Sequence, residues 1–406
     1  MSDHGTDGLT DFPVRHTRAV VDLEAIEANL HLLAGRVPGS GLVPAVKADA
    51  YGHGVEAVAA VCERWGATML AVANLQEFLY LRDCGITLPV LILEDLFADE
   101  IEAAIVAGAR LSVGSLEYAR SLSSAARRGG PSAVVHVNID TGMGRMGLFS
   151  DQPAAELLAI AALDGLEIEG VFSHFPGSDE GDASVPKRQI QDLQVVLAAA
   201  AEEGLRPRYR HIANSGALID LPDAVAWDLV RPGVAMYGMY PSREVNHAVR
   251  LQPALRWESR LVKITRYHRD WTVGYGQTYP VKSGSVIGIV PVGYGDGYPR
   301  SLSNRGSVLV GGQRAPIAGR VSMDMIAVDL TNLAGQGDAA PALGQEVVLL
   351  GTQGGEHIDA AEIADLTGTI TYEVTCDITA RVPRIYTRGG TPVALRSVRS
   401  GYRSLV

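Results

Sequence analysis

Cysteine is scarce in this 406-residue sequence: Cys62, Cys84 and Cys376 are widely spaced and odd in number. A disulfide framework is therefore not expected, and a reducing compartment suits the chain. The ten histidines include no H-E-x-x-H and the cysteines no C-x-x-C, so no metal site is expected. Positive charge is also short, with 35 Lys and Arg against 46 Asp and Glu, a formal net charge of -11. That balance, without any basic-aromatic patch, excludes a nucleic-acid footprint. No run approaches the ~18 apolar residues of a membrane span, and MSDHGTDGLTDFPVRHTR lacks an apolar signal core. The expectation is a cytoplasmic enzyme or binding protein.

What is abundant is apolar surface: 47% of residues are hydrophobic and only 20% charged, enough for a sizeable core. From about residue 41, short apolar runs alternate with segments of helical period. GLVPAV (41–46) precedes GVEAVAAVCERWG, in which Val55, Val58, Ala59 and Cys62 fall on one helical face. Further strand candidates are TMLAVA (68–73), PVLIL (89–93), RLSV (110–113), AVVHVNI (133–139), IEGVFS (168–173), RYRHIA (208–213) and AWDLV (226–230). Eight such units predict a (β/α)8 barrel of TIM type, with functional groups at the C-terminal strand ends. After about residue 250 the pattern becomes β-rich and Gly-punctuated, interrupted by one short helix, DAAEIADLTG. The predicted organisation is a loose tail over 1–16, a barrel over 17–250 and a mostly-β domain over 251–406.

Polar residues fall at the predicted strand ends: Lys47, Asn74, Asp140 with Arg145, His174, Asn214 with Ser215, and Arg231. Lys47, in PAVKADAYGHG, is the informative one. A lysine leaving an apolar strand is by residue type a surface group. Here Tyr51 follows one turn later with a phenol able to meet a phosphate, and Gly52 and Gly54 permit close backbone approach. A desolvated lysine can form a Schiff base, so an aldehyde cofactor is the natural partner. ANSG (213–216) and RPGVAMYG (231–238), after the last two strands, offer a hydroxyl and backbone amides where barrels commonly hold phosphate, although an isolated N-S-G is usually only a turn.

AVKADAYGHG, DTGMGRMG, HIANSGA, RPGVAMYG, VGYGQTY, VGYGDGYPR, GRVSMDM and YEVTCDITARVPRIY occur together and in order, from about residue 17 to about 395. The sequence resembles the alanine racemase family. The resemblance implies that Lys47 holds pyridoxal 5'-phosphate as an internal aldimine and serves as one of two catalytic bases. Tyr275 resembles the other base, although by its neighbours alone it reads as a turn or core tyrosine. Two bases suit racemisation, which takes the Cα proton from one face and returns one to the other. Tyrosine is a poor base near neutral pH unless its phenolate is stabilised, and His174 and Arg231 match the family's chain of supporting groups. Arg231 also resembles the arginine that faces the pyridine nitrogen, where a guanidinium gives no proton and leaves the ring a weaker electron sink. Tyr51, Ser215, Gly233, Val234 and Tyr372 match the phosphate contacts. Arg145 matches the arginine near the cofactor phenolic oxygen and the substrate carboxylate, Met323 a backbone contact to that carboxylate, and Tyr294 an entrance residue.

The implied activity interconverts L-alanine and D-alanine, supplying D-alanine for cell-wall peptidoglycan, in a head-to-tail homodimer whose sites take Tyr275 and Met323 from the other copy. Tyr372, which in the family crowds the substrate methyl, favours alanine over serine or lysine. One extra methylene or hydroxyl is rejected by only ~1–3 kcal/mol, so side activity on serine is compatible. Three rivals share features of this reading: a non-catalytic pyridoxal phosphate carrier without the second domain, an amino-acid decarboxylase of related architecture, and a racemase for another amino acid. One departure stands out. Where many family members have a carbamylated lysine seven residues before the loop arginine, this sequence has Asn138. Asparagine brings no charge, and the expectation is a bound anion such as chloride between Asn138 and Arg145.

Overall fold

The computed structural model describes residues 14–334 and 340–405, and the chain divides into two compact units. The expected tail over 1–16 falls outside the described residues apart from 14–16. One unit comprises residues 26–50 and 58–252; the other comprises 1–25, 51–57 and 253–406.

The first unit contains the eight predicted strands, all parallel: Gly41–Leu42, Leu70–Val72, Val90–Ile92, Arg110–Val113, Ala133–Asn138, Leu166–Phe172, Tyr209–His211 and Leu229–Val230. Each pairs with its sequence neighbour from the second to the eighth, and Gly41–Leu42 pairs with Leu229–Val230. The remaining seam is joined by a bridge between Ala45 and Ala71, making a (β/α)8 barrel. Val43, Met69, Ala71, Leu91 and Leu229 pack together as buried residues, which is why the runs read as continuously apolar rather than alternating. The helix Val55–Trp65 buries Val55, Val58, Ala59 and Cys62 as its period required, and burial pushes the Cys62 thiol up to about 12.

The second unit is mostly β, built on a nine-stranded sheet, a three-stranded sheet and a hairpin among the described residues. The sequence reading placed its start at 251, but the sheet recruits Arg18–Asp22 as well. That strand runs antiparallel to Leu255–Arg260 and parallel to Arg384–Arg388, filling a central position. The barrel boundary at 17 therefore moves: the first strand of the chain completes a sheet whose other members lie more than 230 residues away. The predicted helix is Ala360–Thr367, capped by Asp359 and ended by left-handed Gly368. A second helix, Thr371–Cys376, was not foreseen, since its β-branched and aromatic residues suggest a strand.

Arg384 binds this unit together. It is buried and donates to the carbonyls of Gly52, Ile378, Thr379 and Val382. Gly52 itself, at φ 79°, lies so close to the helix Thr371–Cys376 that a Cβ would sit 1.9 Å from the Thr375 carbonyl oxygen. Only glycine allows that approach. Gly52→Ala should lower stability by about 2 kcal/mol or more, combining a left-handed penalty with overpacking. A denaturant midpoint equal to that of the unaltered protein would rule out this role.

Candidate active site

Lys47 ends the apolar run of the first barrel strand and is half-buried. The chain then takes an unusual path, with Ala48, Asp49, Ala50 and Tyr51 all at φ between 51° and 55°. Left-handed backbone costs on the order of 1–2 kcal/mol per non-glycine residue, so something must hold it. Glu77 does much of this, accepting from Ala48 N–H and Ala73 N–H at 2.7 Å each, while Ala50 N–H donates to Val46 at 2.9 Å. Asn74, singled out as a strand-end polar group, is the N-cap of the helix that carries Glu77 and accepts its amide at 3.0 Å. It supports the lysine turn at one remove.

At the last strand Arg231 is buried, and among the described residues its hydrogen-bond acceptors are neutral. It donates to His211 Nδ1 at 2.6 Å, His174 Nδ1 at 3.1 Å, and the carbonyls of Ser173 at 2.8 Å and Ile212 at 3.3 Å. Behind it the chain continues: His211 Nε2 meets His136 Nδ1 at 2.8 Å, and His136 Nε2 meets Glu169 at 3.1 Å. Arg110 also reaches Glu169, at 3.3 Å. A guanidinium only donates and a carboxylate only accepts. These ends assign the proton directions: Arg231 to His211, His211 to His136, His136 to Glu169, with each imidazole neutral. Burial pushes His136, His174 and His211 down, His174 to about 3, with the charges of Arg231, Arg145 and Lys47 adding to the effect at His174. Burial, then the charge of Arg145, brings Arg231 down to about 9. Gly170 makes the row possible, since a Cβ there would lie 2.3 Å from His136 Nδ1.

The loop after the fifth barrel strand is organised by Asp140, whose carboxylate accepts the amides of Gly142, Met143, Gly144 and Arg145. Asn138 donates to the Met146 carbonyl at 3.1 Å. Arg145 is exposed, and its guanidinium has no hydrogen-bond partner among the described residues. A cavity of about 10 Å³ is lined by Asn138, Asp140, Arg145, Ser173 and His174 among others. That is close to the volume needed for one water-sized occupant. Farther round the rim, Ser215 Oγ accepts from Gly233 N–H at 2.9 Å and Ala235 N–H at 3.2 Å, drawing Ser215, Gly233 and Val234 together.

The remaining predicted residues belong to the second unit. Tyr51 and Tyr372 are brought together, their rings 5.9 Å apart. Tyr275 sits in the loop of the hairpin Trp271–Val273 and Tyr279–Val281 and is 70% exposed. Gly274, Gly276 and Gln277 all have positive φ there, and a Cβ on Gly274 would press the Arg320 amide at 3.2 Å. Met323 and Tyr294 occupy adjoining loops, with Tyr294 N–H bonded to the Ser322 carbonyl at 3.0 Å. Both side chains are exposed.

Residues 21–241 match the family model described as alanine racemase, N-terminal domain, and residues 254–386 match alanine racemase, C-terminal domain. The chain belongs to the alanine racemase family. It is 42% identical over 376 residues to the alanine racemase of Carboxydothermus hydrogenoformans, covering 92% of this chain and all of that protein. It is 39% identical over 371 residues to that of Desulforamulus reducens, 91% and 98% of the two chains. Among solved structures, alanine racemase from Bacillus anthracis with bound L-Ala-P aligns at TM-score 0.88 and 35% identity, covering 95% and 98% of the chains. That of Clostridium difficile 630 aligns at 0.89 and 32%, covering 95% and 99%. Alanine racemase activity, an isomerisation of L- and D-alanine, is thereby supported, and the single-barrel carrier reading falls with the match to the second domain.

Sequence reasoning missed His136, His211, Glu169 and Gly170, all of which serve Arg231. The runs AVVHVNI and RYRHIA were read as strands and so placed both histidines in strands, but strand histidines are ordinary, and only the barrel's closure brings them into a row. Their neutrality has a consequence for the stability of the chain. A histidine with folded pKa below its unfolded value near 6.5 takes up a proton on unfolding, so stability is complete above ~6.5 and falls with pH below it. The urea midpoint should drop from pH 7 to 5, as the unfolding free energy falls by up to roughly 1.4 kcal/mol per pH unit for each fully shifted histidine. For His174 the loss should continue to about 3. A midpoint flat over pH 5–7 would show that these groups are charged in the folded protein.

Proposed function

We propose that the chain racemises alanine with pyridoxal 5'-phosphate bound at the barrel mouth, Lys47 and Tyr275 acting as the two catalytic bases. The observation that carries the reading is the surplus of positive charge where Lys47 leaves its strand. Arg231 is buried with neutral acceptors only and is brought down to about 9, partly by Arg145, while Arg145 has no carboxylate partner among the described residues. Such a site is suited to an anionic group, and a phosphate, a phenolic oxygen and a substrate carboxylate together supply the missing charge. The residues therefore fit the cofactor.

Lys47 would hold the cofactor aldehyde, Tyr51, Ser215, Gly233, Val234 and Tyr372 its phosphate, Arg231 its ring nitrogen and Arg145 its phenolic oxygen. When bound, the cofactor acidifies the Cα–H of an amino acid joined to it. The chain's own contribution is to hold one base on each face of Cα, so that the proton removed from one side is replaced on the other. Arg231, already donating to His174, sets the polarity around the second base. Arg145 and the backbone at Met323 orient the substrate carboxylate, Tyr294 narrows the entrance, and Tyr372 limits the side chain to one near alanine in size. Tyr275 and Met323 are exposed in this chain, which agrees with their completing the site of a second copy in a homodimer. Supply of D-alanine to peptidoglycan in the cytoplasm is the corresponding role; among the described residues no helix is long and apolar enough to cross a membrane.

At Asn138 we infer an anion such as chloride beside Arg145. An uncharged side chain leaves that arginine, exposed as it is, without a charge-assisted bond worth up to about 1 kcal/mol, and the adjoining small cavity of about 10 Å³ has both Asn138 and Arg145 in its lining. Asp140 does not substitute, since both its oxygens are occupied by loop amides.

The purified protein should be yellow and convert either alanine enantiomer to a racemate, with colour removed by borohydride. Lys47→Ala should lose both properties, and Tyr275→Phe should lower kcat by 10²-fold or more, on the order of general-base contributions, while remaining yellow. Chiral chromatography and absorbance read both. Carbon dioxide released from alanine would instead favour the decarboxylase, and a preference for serine or lysine another racemase. Replacing chloride with a bulky anion should raise the KM for alanine; indifference to it would leave Arg145 held by cofactor and water alone.

A further inference from the structure

The loops bearing Tyr294 and Met323 are pressed together backbone to backbone. A Cβ on Gly293 would lie 2.2 Å from the Ser322 carbonyl oxygen and 2.4 Å from that of Met323, and one on Gly295 would lie 2.3 Å from Arg381 Nη1. Gly295 N–H donates to the Met323 carbonyl at 2.8 Å, completing a short ladder with the bond from Tyr294 to Ser322. Such a contact leaves no room for side chains, so its alignment must be set from the flanks. Asp296 does this from inside the turn. Its side chain has no exposure, and one oxygen accepts Gly293 N–H at 3.1 Å.

Two arginines converge on this carboxylate. Arg15, preceding the first strand, donates to both of its oxygens and to the Pro291 carbonyl. Arg381 approaches Asp296 at 3.5 Å and donates from its other side to Asp324 at 2.7 Å, and Asp324 is the neighbour of Met323. The hydrogen bond to Asp324 and the charge of Asp296 hold the Arg381 guanidinium above its ordinary pKa. The order of charges is Arg15, Asp296, Arg381, Asp324, alternating in sign from the N-terminal arm to the Met323 loop.

We propose that Arg381 and Asp324 are positioning residues for the substrate, clamping the Met323 loop onto Tyr294 with Asp296 and Arg15 as the fixed anchor. The proposal rests on the reading of Met323 and Tyr294 as substrate-facing groups. Arg381 bridges a buried carboxylate and an exposed one, so breaking its outer bond frees the Met323 loop while the inner anchor remains. A loop that merely needs to be folded would show this as lost stability. A loop that presents an amide to the substrate carboxylate shows it as weaker binding.

The test is steady-state racemisation by Arg381→Ala, Arg381→Lys, Asp324→Asn and Tyr294→Ala holoenzymes, with cofactor content and thermal midpoint measured on each. Arg381→Ala should raise the KM for alanine about five- to tenfold, less than a buried charge-assisted hydrogen bond would give because both partners are exposed, with kcat within about threefold. Arg381→Lys should recover part of the loss. Asp324→Asn, at an exposed side chain, should give an intermediate KM with an unchanged midpoint, and it carries the test if Arg381→Ala fails to fold. An unchanged KM in both clamp variants, with Tyr294→Ala raising it, overturns the clamp alone. An unchanged KM in Tyr294→Ala as well overturns the substrate-facing reading of these loops, and the clamp with it.

Discussion

Arg231 is a guanidinium buried at the end of the last barrel strand, and among the described residues it has only neutral acceptors. A buried cation without a counter-charge costs several kcal/mol, and much of the barrel interior is arranged to bear it. Two imidazoles must present unprotonated nitrogens, which requires them to be neutral. One of these, His211, must have its other nitrogen satisfied in turn, which leads through His136 to Glu169. A glycine must stand at position 170 because an imidazole occupies the space where its Cβ would be. The negative charge at Glu169 lies three hydrogen bonds from Arg231, so it fixes the direction of the protons without quenching the cation. Positive potential is left at the mouth, beside Lys47 and Arg145.

That potential links the fold to alanine racemase chemistry. The site proposed here for a phosphorylated aldehyde and an amino-acid carboxylate calls for cations that are not already paired. Surface arginines usually find acids; Arg145 is kept from doing so because Asp140, the nearest carboxylate in its loop, is used up on four backbone amides. The left-handed turn after Lys47 belongs to the same design. Its strain is held by Glu77 on one side and, beyond Tyr51, by the carbonyl of Gly52 in the grip of Arg384. Strain of this kind persists only where surrounding contacts over-determine it.

The second unit uses glycine for a different purpose. In GYGDG the three glycines let one loop lie directly on another, and at Gly297 a Cβ would fall 1.9 Å from the Asp377 carbonyl oxygen. The motif is therefore a packing surface made of backbone, with Tyr294 as its projecting side chain. Asp296 is the one polar group inside it and is neutralised from two directions.

The eight barrel strands were legible because a parallel strand buried on both faces must be apolar throughout, and its helices must show one apolar stripe. Lys47, Arg145, His174 and Arg231 were legible for a related reason: a barrel's strand ends are where polar residues interrupt such runs, and the motifs around them resemble one family along nearly the whole chain. Three things were decided only by tertiary structure. Arg18–Asp22 joined a sheet formed by residues more than 230 positions away, a partner that no local pattern could name. Thr371–Cys376 is a helix against its strand-like composition, and it lies where its Thr375 carbonyl closes on Gly52, a neighbour more than 300 positions away. The row from Arg231 to Glu169 needed four strands to close side by side before two ordinary strand histidines acquired a common proton direction. Sequence carries what a residue needs from its immediate neighbours, whereas the charge state of a buried imidazole depends on groups that only the folded chain brings within hydrogen-bonding distance.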